Sequence, residues 1–329
     1  MNICFIGASG HSSSLVESAR LQNKSDTVTG VAAGSNGENI DGLYNYLCNS
    51  GHSPKKYDDY IKILDELKPD IAVVDNYYGD HAKVSIEALK RGCHVFIEKP
   101  AATTLDSLAE LKREQLKSGK KIGSMFGMRF EPEYRTAYEI IKNGQIGDIR
   151  IINAQKSYKL GERPDFYKSR ESFGGLIPWV GIHSIELIYF ISGKKFLYID
   201  ASCSSLGNHG YGDLDITAVG NFILEDNIIS TVTVDYLRPP GASSHGDDRL
   251  RNVGSSGVAE VMNNKVKLID KDGEREVNLL DKTDIFADFI DYIEGKENTV
   301  LNSNDVFYIT EIAIKAQNSA DEKKNKYMI

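Results

Sequence analysis

The chain has 329 residues, 41% hydrophobic and 26% charged, with a formal net charge of −8 at pH 7. That length predicts about two domains rather than one core, and an acidic balance with no basic stripe argues against nucleic acid as the main partner. No apolar run approaches the ~20 residues a membrane helix needs, and the opening MNICFIGASG has neither the basic start nor the cleavage site of a signal peptide. Cys4, Cys48, Cys93 and Cys203 are scattered with no CxxC pair, two of them inside apolar strand-like runs. This pattern predicts free thiols in a reducing cytoplasm and no structural metal.

The first third alternates strands and helices. NICFIGA is a short apolar run ending in glycine, and TVTGVAA, DIAVVDN and HVFIEKP follow as further strands. Between them, Tyr57, Tyr60, Ile61, Leu64 and Leu67 recur at helical spacing. DHAKVSIEALKRG begins at a candidate N-cap, Asp80, and stops at Gly92. TLDSLAELKREQLKSG has Ser107 and Glu110 in capping-box spacing and Gly119 behind it. Strands separated by helices of this length pair in parallel through right-handed crossovers. The expected fold is therefore α/β, a doubly wound parallel sheet over residues 1–122.

From residue 123 the pattern changes. PEYRTAYEIIKNG reads as a helix and the apolar stretch around His183 as another. A strand-rich run follows, with turns at Glu225-Asp226-Asn227, at Asn263-Asn264 and at Asp272-Gly273. Tight turns between neighbouring strands make a mostly antiparallel sheet. Two helices, from about Phe286 and about Asp305, close residues 123–329, and the charged tail DEKKNKYMI reads as a solvated helix end.

The glycine turn after the first strand, IGASGHSSS, is the first candidate site. A dinucleotide fold needs glycine there so that the backbone can approach a pyrophosphate at a helix start. Gly7 is in place, Ser9 and Ser12 fill the other slots of a GxGxxG, and Gly10 makes a GxxG variant. Gly7, Ser9, Gly10, His11 and Ser12 are the candidate phosphate contacts, with a ligand-free strand–helix turn as the alternative. The second strand ends VAAGSNGEN, where an acid for the ribose hydroxyls is expected. The slot at Ala33-Gly34 is not acidic and Glu38 comes late, whereas Ser35 and Asn36 suit a 2′-phosphate. The cofactor expectation is thus NAD or NADP, leaning to NADP.

NYYGDHAKVSIEALKRGCHVFIEKP, GMRFEPEYRTAYEIIKNGQIGDI, FGGLIPWVGIHSIEL and GSSGVAEV together resemble the Gfo/Idh/MocA family of NAD(P)-dependent oxidoreductases. The resemblance implies a Rossmann domain followed by an α/β substrate-binding and oligomerisation domain, its open sheet face serving as substrate cleft and often as oligomer interface. It implies hydride exchange between nicotinamide and a hydroxyl-bearing carbon of a sugar, cyclitol or related polyol. Lys99 at the end of the Glu-Lys-Pro strand becomes the catalytic lysine, Glu98 its orienter or a cofactor contact, and Asn76 and His81 the loop near the nicotinamide. The bare alternative for Glu98-Lys99 is a surface ion pair closing a strand.

The family's Gly-Gly-x-x-x-Asp-x-Gly-x-His motif matches GGLIPWVGIH, which puts His183 in the histidine slot and Trp179 in place of the aspartate. Four apart on a helix, Trp179 and His183 would share a face. Tryptophan cannot accept a proton but can wall a sugar ring or the nicotinamide, and Glu186 on the same face is a candidate carboxylate. A core histidine is the alternative for His183. Arg129, Tyr158, Arg170 and His245 are further candidate substrate contacts. The expectation is a cytoplasmic dehydrogenase of a polyol, homodimeric or homotetrameric. Its rivals are a redox-assisted lyase or hydrolase with tightly held cofactor, and a catalytically inactive nucleotide-binding regulator.

Overall fold

The structure, a computed structural model, describes residues 1–322. Residues 323–329, most of the tail read as a solvated helix end, lie outside the described residues. The chain forms two compact units. The first comprises Met1–Met125, Glu171–Gly174 and Asp284–Glu311; the second comprises Phe126–Arg170, Gly175–Thr283 and the chain from Ile312 onward.

In the first unit six parallel strands, β1 (Asn2–Ile6), β2 (Thr27–Ala32), β3 (Lys55–Tyr57), β4 (Ile71–Val74), β5 (His94–Ile97) and β6 (Ile122–Ser124), lie in the order β3-β2-β1-β4-β5-β6. The order reverses between β1 and β4, the switch point of a doubly wound dinucleotide fold. Helices α1 (Ala19–Gln22), α2 (Asp41–Asn49), α3 (Tyr60–Leu67), α4 (His81–Lys90) and α5 (Leu105–Ser118) connect the strands. Ile71–Val74 is buried throughout, as expected of a parallel strand covered on both faces.

Helix α5 starts one turn earlier than Ser107 and Glu110 suggested. Thr104 is its cap, accepting the Ser107 N–H at 3.2 Å, and Gly119 ends it at φ +68°. Asp80 does not cap α4; its carboxylate accepts from the Ser35 hydroxyl at 2.7 Å. The glycine turn opens a 3-10 helix, Ser12–Glu17, followed by the four-residue α1, where one helix was expected.

The second unit carries α6 (Pro132–Lys142), β7 (Ile149–Ser157), α7 (Arg170–Phe173, of which all but Arg170 lies in the first unit), α8 (Ile182–Ser192) and β8 (Phe196–Ser204). Six more strands follow: β9 (Thr217–Leu224), β10 (Ile229–Asp235), β11 (Arg249–Gly254), β12 (Gly257–Met262), β13 (Lys265–Asp270) and β14 (Gly273–Val277). The sheet order is β14-β13-β12-β11-β7-β10-β9-β8, with only β7 and β10 parallel. The turn at Asn263-Asn264 has both residues at positive φ, while Gly273 is already the first residue of β14. Helices α6 and α8 pack on one face of the sheet. The other bears a cavity of about 290 Å3 lined by Asn153, Gln155, Thr231, Arg249, Arg251 and Glu260. His183 and Glu186 ride on α8, so the histidine motif does not line the open face expected to form the substrate cleft.

Helix α9 (Ile285–Ile293) belongs to the first unit, and α10 (Ser303–Asp321) divides between the two. A single cut at 122/123 therefore misses a return of the chain. The cause is aromatic packing: Phe96 of β5 meets Phe286 at 5.8 Å and Phe289 at 5.3 Å, both edge-on, in the core of the first unit. Ser303, opening α10, accepts the Ile122 N–H at 2.8 Å and donates to the Ile122 carbonyl. The three-residue edge strand β6 is pinned that way.

Among the described residues one helical stretch, Arg170–Ser192, is long and apolar enough to cross a membrane, and 83% of its apolar window is buried inside the protein. The sequence reading gave a helix only to the apolar part of this stretch, around His183.

Candidate active site

In the first unit, the glycine turn is built by close approach. Gly7 has φ +94°, and a Cβ on it would lie 2.5 Å from the Asp75 carbonyl carbon and closer still to the Asn76 N and Cα. Its N–H donates to the Ala32 carbonyl at 2.8 Å, and the Ser9 N–H donates to the Asp75 carbonyl at 2.7 Å. A Cβ on Gly10 would press on the Asp75 carboxylate and sit 2.6 Å from Glu98 Cγ. Only glycine lets the carboxyl ends of β1, β4 and β5 meet in this way.

Glu38, late in the sequence, folds back onto this turn. Its carboxylate accepts the Ala8 N–H at 2.9 Å and the Ser9 hydroxyl on one oxygen. The other oxygen accepts the Gly34 and Ser35 N–H groups at 3.0 and 3.2 Å. Ser35 does not point to an anion; its hydroxyl donates to Asp80 and accepts from the Asn76 amide at 3.0 Å and the Tyr77 N–H at 3.2 Å. The side chain of Ser12 lies outside the described residues.

The Glu-Lys-Pro strand end is buried: Glu98 and Lys99 are each 2% exposed, and the Lys99-Pro100 bond is cis. The surface ion-pair alternative is thereby overturned. Glu98 accepts the His11 N–H at 2.7 Å and faces the His11 ring at 3.2 Å on one oxygen, and accepts the Lys99 N–H at 2.9 Å on the other. Burial raises the Glu98 carboxyl, but His11, Lys99 and these N–H groups outweigh it and hold it below its usual range. His11 thus meets a carboxylate. His81, the first residue of α4, is fully buried rather than turned to a ligand. Its two ring nitrogens face the Pro100 carbonyl at 2.7 Å and the Asn76 carbonyl at 3.0 Å.

The N–H and hydroxyl groups of Ala8, Ser9, Gly34 and Ser35 hold the Glu38 carboxylate at the end of β2, where an acid suits the ribose hydroxyls of a dinucleotide. A cavity of about 250 Å3 lined by Ala8, Gly10, Ser13, Leu43, Tyr46 and Asp75 lies beside it. Asn76 Oδ1 is buried without a partner. The residues fit a dinucleotide at the carboxyl ends of β1 and β4.

In the second unit, His183 stands in the first turn of α8, half-buried. The segment before it, Ile177–Gly181, is a π-turn closed by the Ile182 N–H on the Ile177 carbonyl. A widened turn breaks the four-residue repeat, so Trp179 and His183 do not hold the shared-face register of an α-helix. Trp179 is 5% exposed and meets Tyr167 edge-on at 6.4 Å. Glu186 is fully buried, and Arg129 Nε donates to it at 2.5 Å while the guanidinium lies 4.9 Å over Phe190. Its carboxylate is committed to an ion pair.

Tyr158 stacks on His245 at 5.2 Å, and Lys156 lies over its ring at 4.9 Å. Arg170 pairs with Asp215 at 2.8 Å and Asp321 at 3.4 Å, a tie between loop and helix rather than a free cation. The sequence reading missed Lys156, which is nearly fully buried and pairs with Asp248 at 2.5 Å. Burial pulls its ammonium below the ordinary lysine range, with Asp248 opposing. The signal was present: Ile152, Ala154 and Lys156 share the inward phase of β7, so a lysine interrupts an apolar row.

Comparison with known proteins bears on this chemistry. Residues 1–126 match the oxidoreductase family with an NAD-binding Rossmann fold, and residues 134–260 match the GFO/IDH/MocA C-terminal domain. A solved structure from Thermotoga maritima, named as a candidate oxidoreductase, is 42% identical, covers 98% of this chain and 99% of its own, and superposes with a TM-score of 0.95. The uncharacterized oxidoreductase YrbE of Bacillus subtilis is 26% identical over 63% of this chain and 59% of its own length. The myo-inositol 2-dehydrogenase of Thermotoga maritima is 24% identical over 67% of this chain and 66% of its own. The chain belongs to the Gfo/Idh/MocA family of oxidoreductases, with an NAD(P)-binding Rossmann domain.

Proposed function

We propose that this chain is an NAD-dependent dehydrogenase acting on a hydroxyl-bearing carbon of a sugar-like or cyclitol-like polyol. One observation carries the reading: a lysine, Lys99, is buried at the carboxyl end of a parallel strand beside the glycine turn, where open α/β sheets bind ligands. The similarity to a myo-inositol dehydrogenase supports the substrate class.

When bound, the dinucleotide supplies the hydride-accepting carbon. In the first unit Lys99 is the group to hold a reacting hydroxyl by an N–H···O bond; in the second, His183 is the candidate proton acceptor. Glu186 does not serve as that base, because its carboxylate already answers Arg129. Trp179 excludes water from the half-site rather than accepting a proton.

The same reading takes NAD over NADP, reversing the lean from sequence. Glu38 reaches the end of β2 from four residues beyond Gly34, and a 2′-phosphate placed there would meet a carboxylate.

The test begins with binding. NADH titrated by fluorescence and calorimetry should bind, and a polyol screen should then give NADH formation. Lys99→Met should lower kcat on the order of 10²-fold or more, as loss of a proton-handling group does, while NADH binding persists. A dehydrogenase whose Lys99→Met variant keeps full turnover, or a chain that binds neither dinucleotide, would refute the proposal.

A further inference from the structure

His81 presents a problem of proton count. Both ring nitrogens face carbonyl oxygens at hydrogen-bond distance, Pro100 at 2.7 Å and Asn76 at 3.0 Å, inside a fully buried site. A carbonyl oxygen only accepts, and a neutral imidazole has one N–H. A neutral ring would set a nitrogen lone pair against an oxygen lone pair, away from any water that could relieve it.

We propose that His81 is a buried imidazolium that donates to both carbonyls at once and so fixes the backbone from which Lys99 projects. The two acceptors lie at the carboxyl ends of neighbouring strands: Asn76 two residues beyond β4, and Pro100 three beyond β5 and directly after Lys99. His81 is thus a staple between the strand ends. As a positioning residue for catalysis it rests on the function proposed above; its protonation does not.

The charges around it decide which form the site favours. Burial penalises the imidazolium, is the largest influence on the group and pulls it below its ordinary range. Against burial stand both carbonyls, Glu98 at the end of β5 and Asp80 on the preceding turn, each of which favours the charged ring. Tyr78 meets it side-on with ring centroids 5.4 Å apart. Asp75 precedes Asn76 and Lys99 precedes Pro100, one charge of each sign. The donor–acceptor geometry stands against that pull: a neutral ring would leave one of two buried carbonyls facing a nitrogen lone pair.

The test is spectroscopic and needs no activity. The full chain, labelled with ¹⁵N in its seven histidines, is followed by long-range ¹H–¹⁵N correlation from pH 6 to 9, with His81 assigned by its loss in His81→Gln. The expected result is a doubly protonated ring at pH 7 that outlasts an exposed histidine by well over a pH unit. In the same titration the ¹³Cε signal of Lys99, assigned with Lys99→Met, should shift in step with the loss of the His81 proton. In folded His81→Gln that signal should be displaced, and kcat on any polyol turned over should fall on the order of tenfold or more with KM little changed, as misplacement of a reacting group does. A neutral single tautomer at pH 7 overturns the proposal. An imidazolium whose deprotonation leaves Lys99 unmoved overturns the positioning role, even if His81→Gln fails to fold. Absence of dehydrogenase activity, with both signals behaving as expected, would count against the function proposed above and leave the staple standing.

Discussion

Replacing Gly7 with alanine isolates the close approach on which the glycine turn depends. Two costs add. Alanine at φ +94° carries a backbone penalty of about 1–2 kcal/mol. The new Cβ would also lie 2.5 Å or less from Asp75 and Asn76 backbone atoms, whereas carbon atoms rest ~3.5–4.0 Å apart. The ends of β1 and β4 would have to part by about 1 Å. Forcing such overpacking costs about 1–3 kcal/mol, and it strains the Ser9 N–H to Asp75 bond, worth about 1 kcal/mol. The sum is about 3–6 kcal/mol, a large part of a typical domain's ~5–15 kcal/mol. Gly37→Ala is the matched control: its φ is +76°, but a Cβ there meets nothing within 4 Å, so only the backbone cost of about 1–2 kcal/mol remains. Urea unfolding of both variants, followed by circular dichroism, gives the comparison. If Gly7→Ala loses no more stability than Gly37→Ala, the turn is looser than described and the steric reasoning fails.

Arg129→Met should cost about 3–5 kcal/mol by leaving Glu186 a buried, uncompensated charge, and Arg129→Met with Glu186→Leu should recover most of it; a double variant no better than the single would show that the pair is not the source of the loss. His94, pushed down to about 4 chiefly by burial with Lys120 and Lys121 adding, accepts the Lys121 N–H through its neutral ring at 3.0 Å. Its unfolded pKa is about 6.5, so between there and about 4 the unfolded chain binds the extra proton. Stability should therefore fall as pH drops through that window and level off below it, and His94→Asn should flatten this part of the urea-midpoint profile. Glu38→Gln should narrow the preference for NADH over NADPH in paired calorimetric titrations; an unchanged ratio would remove Glu38 from cofactor choice.

Much of the fold was legible because backbone chemistry wrote it into short words. Gly92 and Gly119 end their helices at positive φ, Asn263-Asn264 turns a hairpin, and the fully apolar β4 reads as a strand covered on both faces. Strand β3 escaped because three residues carry no period, and it is defined by the neighbour it pairs with. The capping box at Ser107 failed against Thr104 one turn earlier, since local spacing allows both and only the helix start decides. The return of α9 could not be read at all, for its partner Phe96 lies nearly 200 residues away in sequence.

The candidate site divides along the same line. Residues set by the strand ends themselves, Gly7, Gly10, Glu98 and Lys99, stand where the sequence put them, because a parallel strand has one carboxyl end and the turn beyond it has few alternatives. Residues whose role depends on what folds against them were misread. Glu38 looked too late to matter until its loop closed on the Ala8 and Gly34 N–H groups. Glu186 looked like a spare carboxylate until Arg129 met it, and Trp179 shared a face with His183 only while the helix was taken as regular. A buried carboxylate either meets a cation or takes up a proton, because burying it charged and alone costs several kcal/mol. Glu186, set among the apolar residues of SIELIYFIS, called for one of the two, and Arg129 is the cation that answers it.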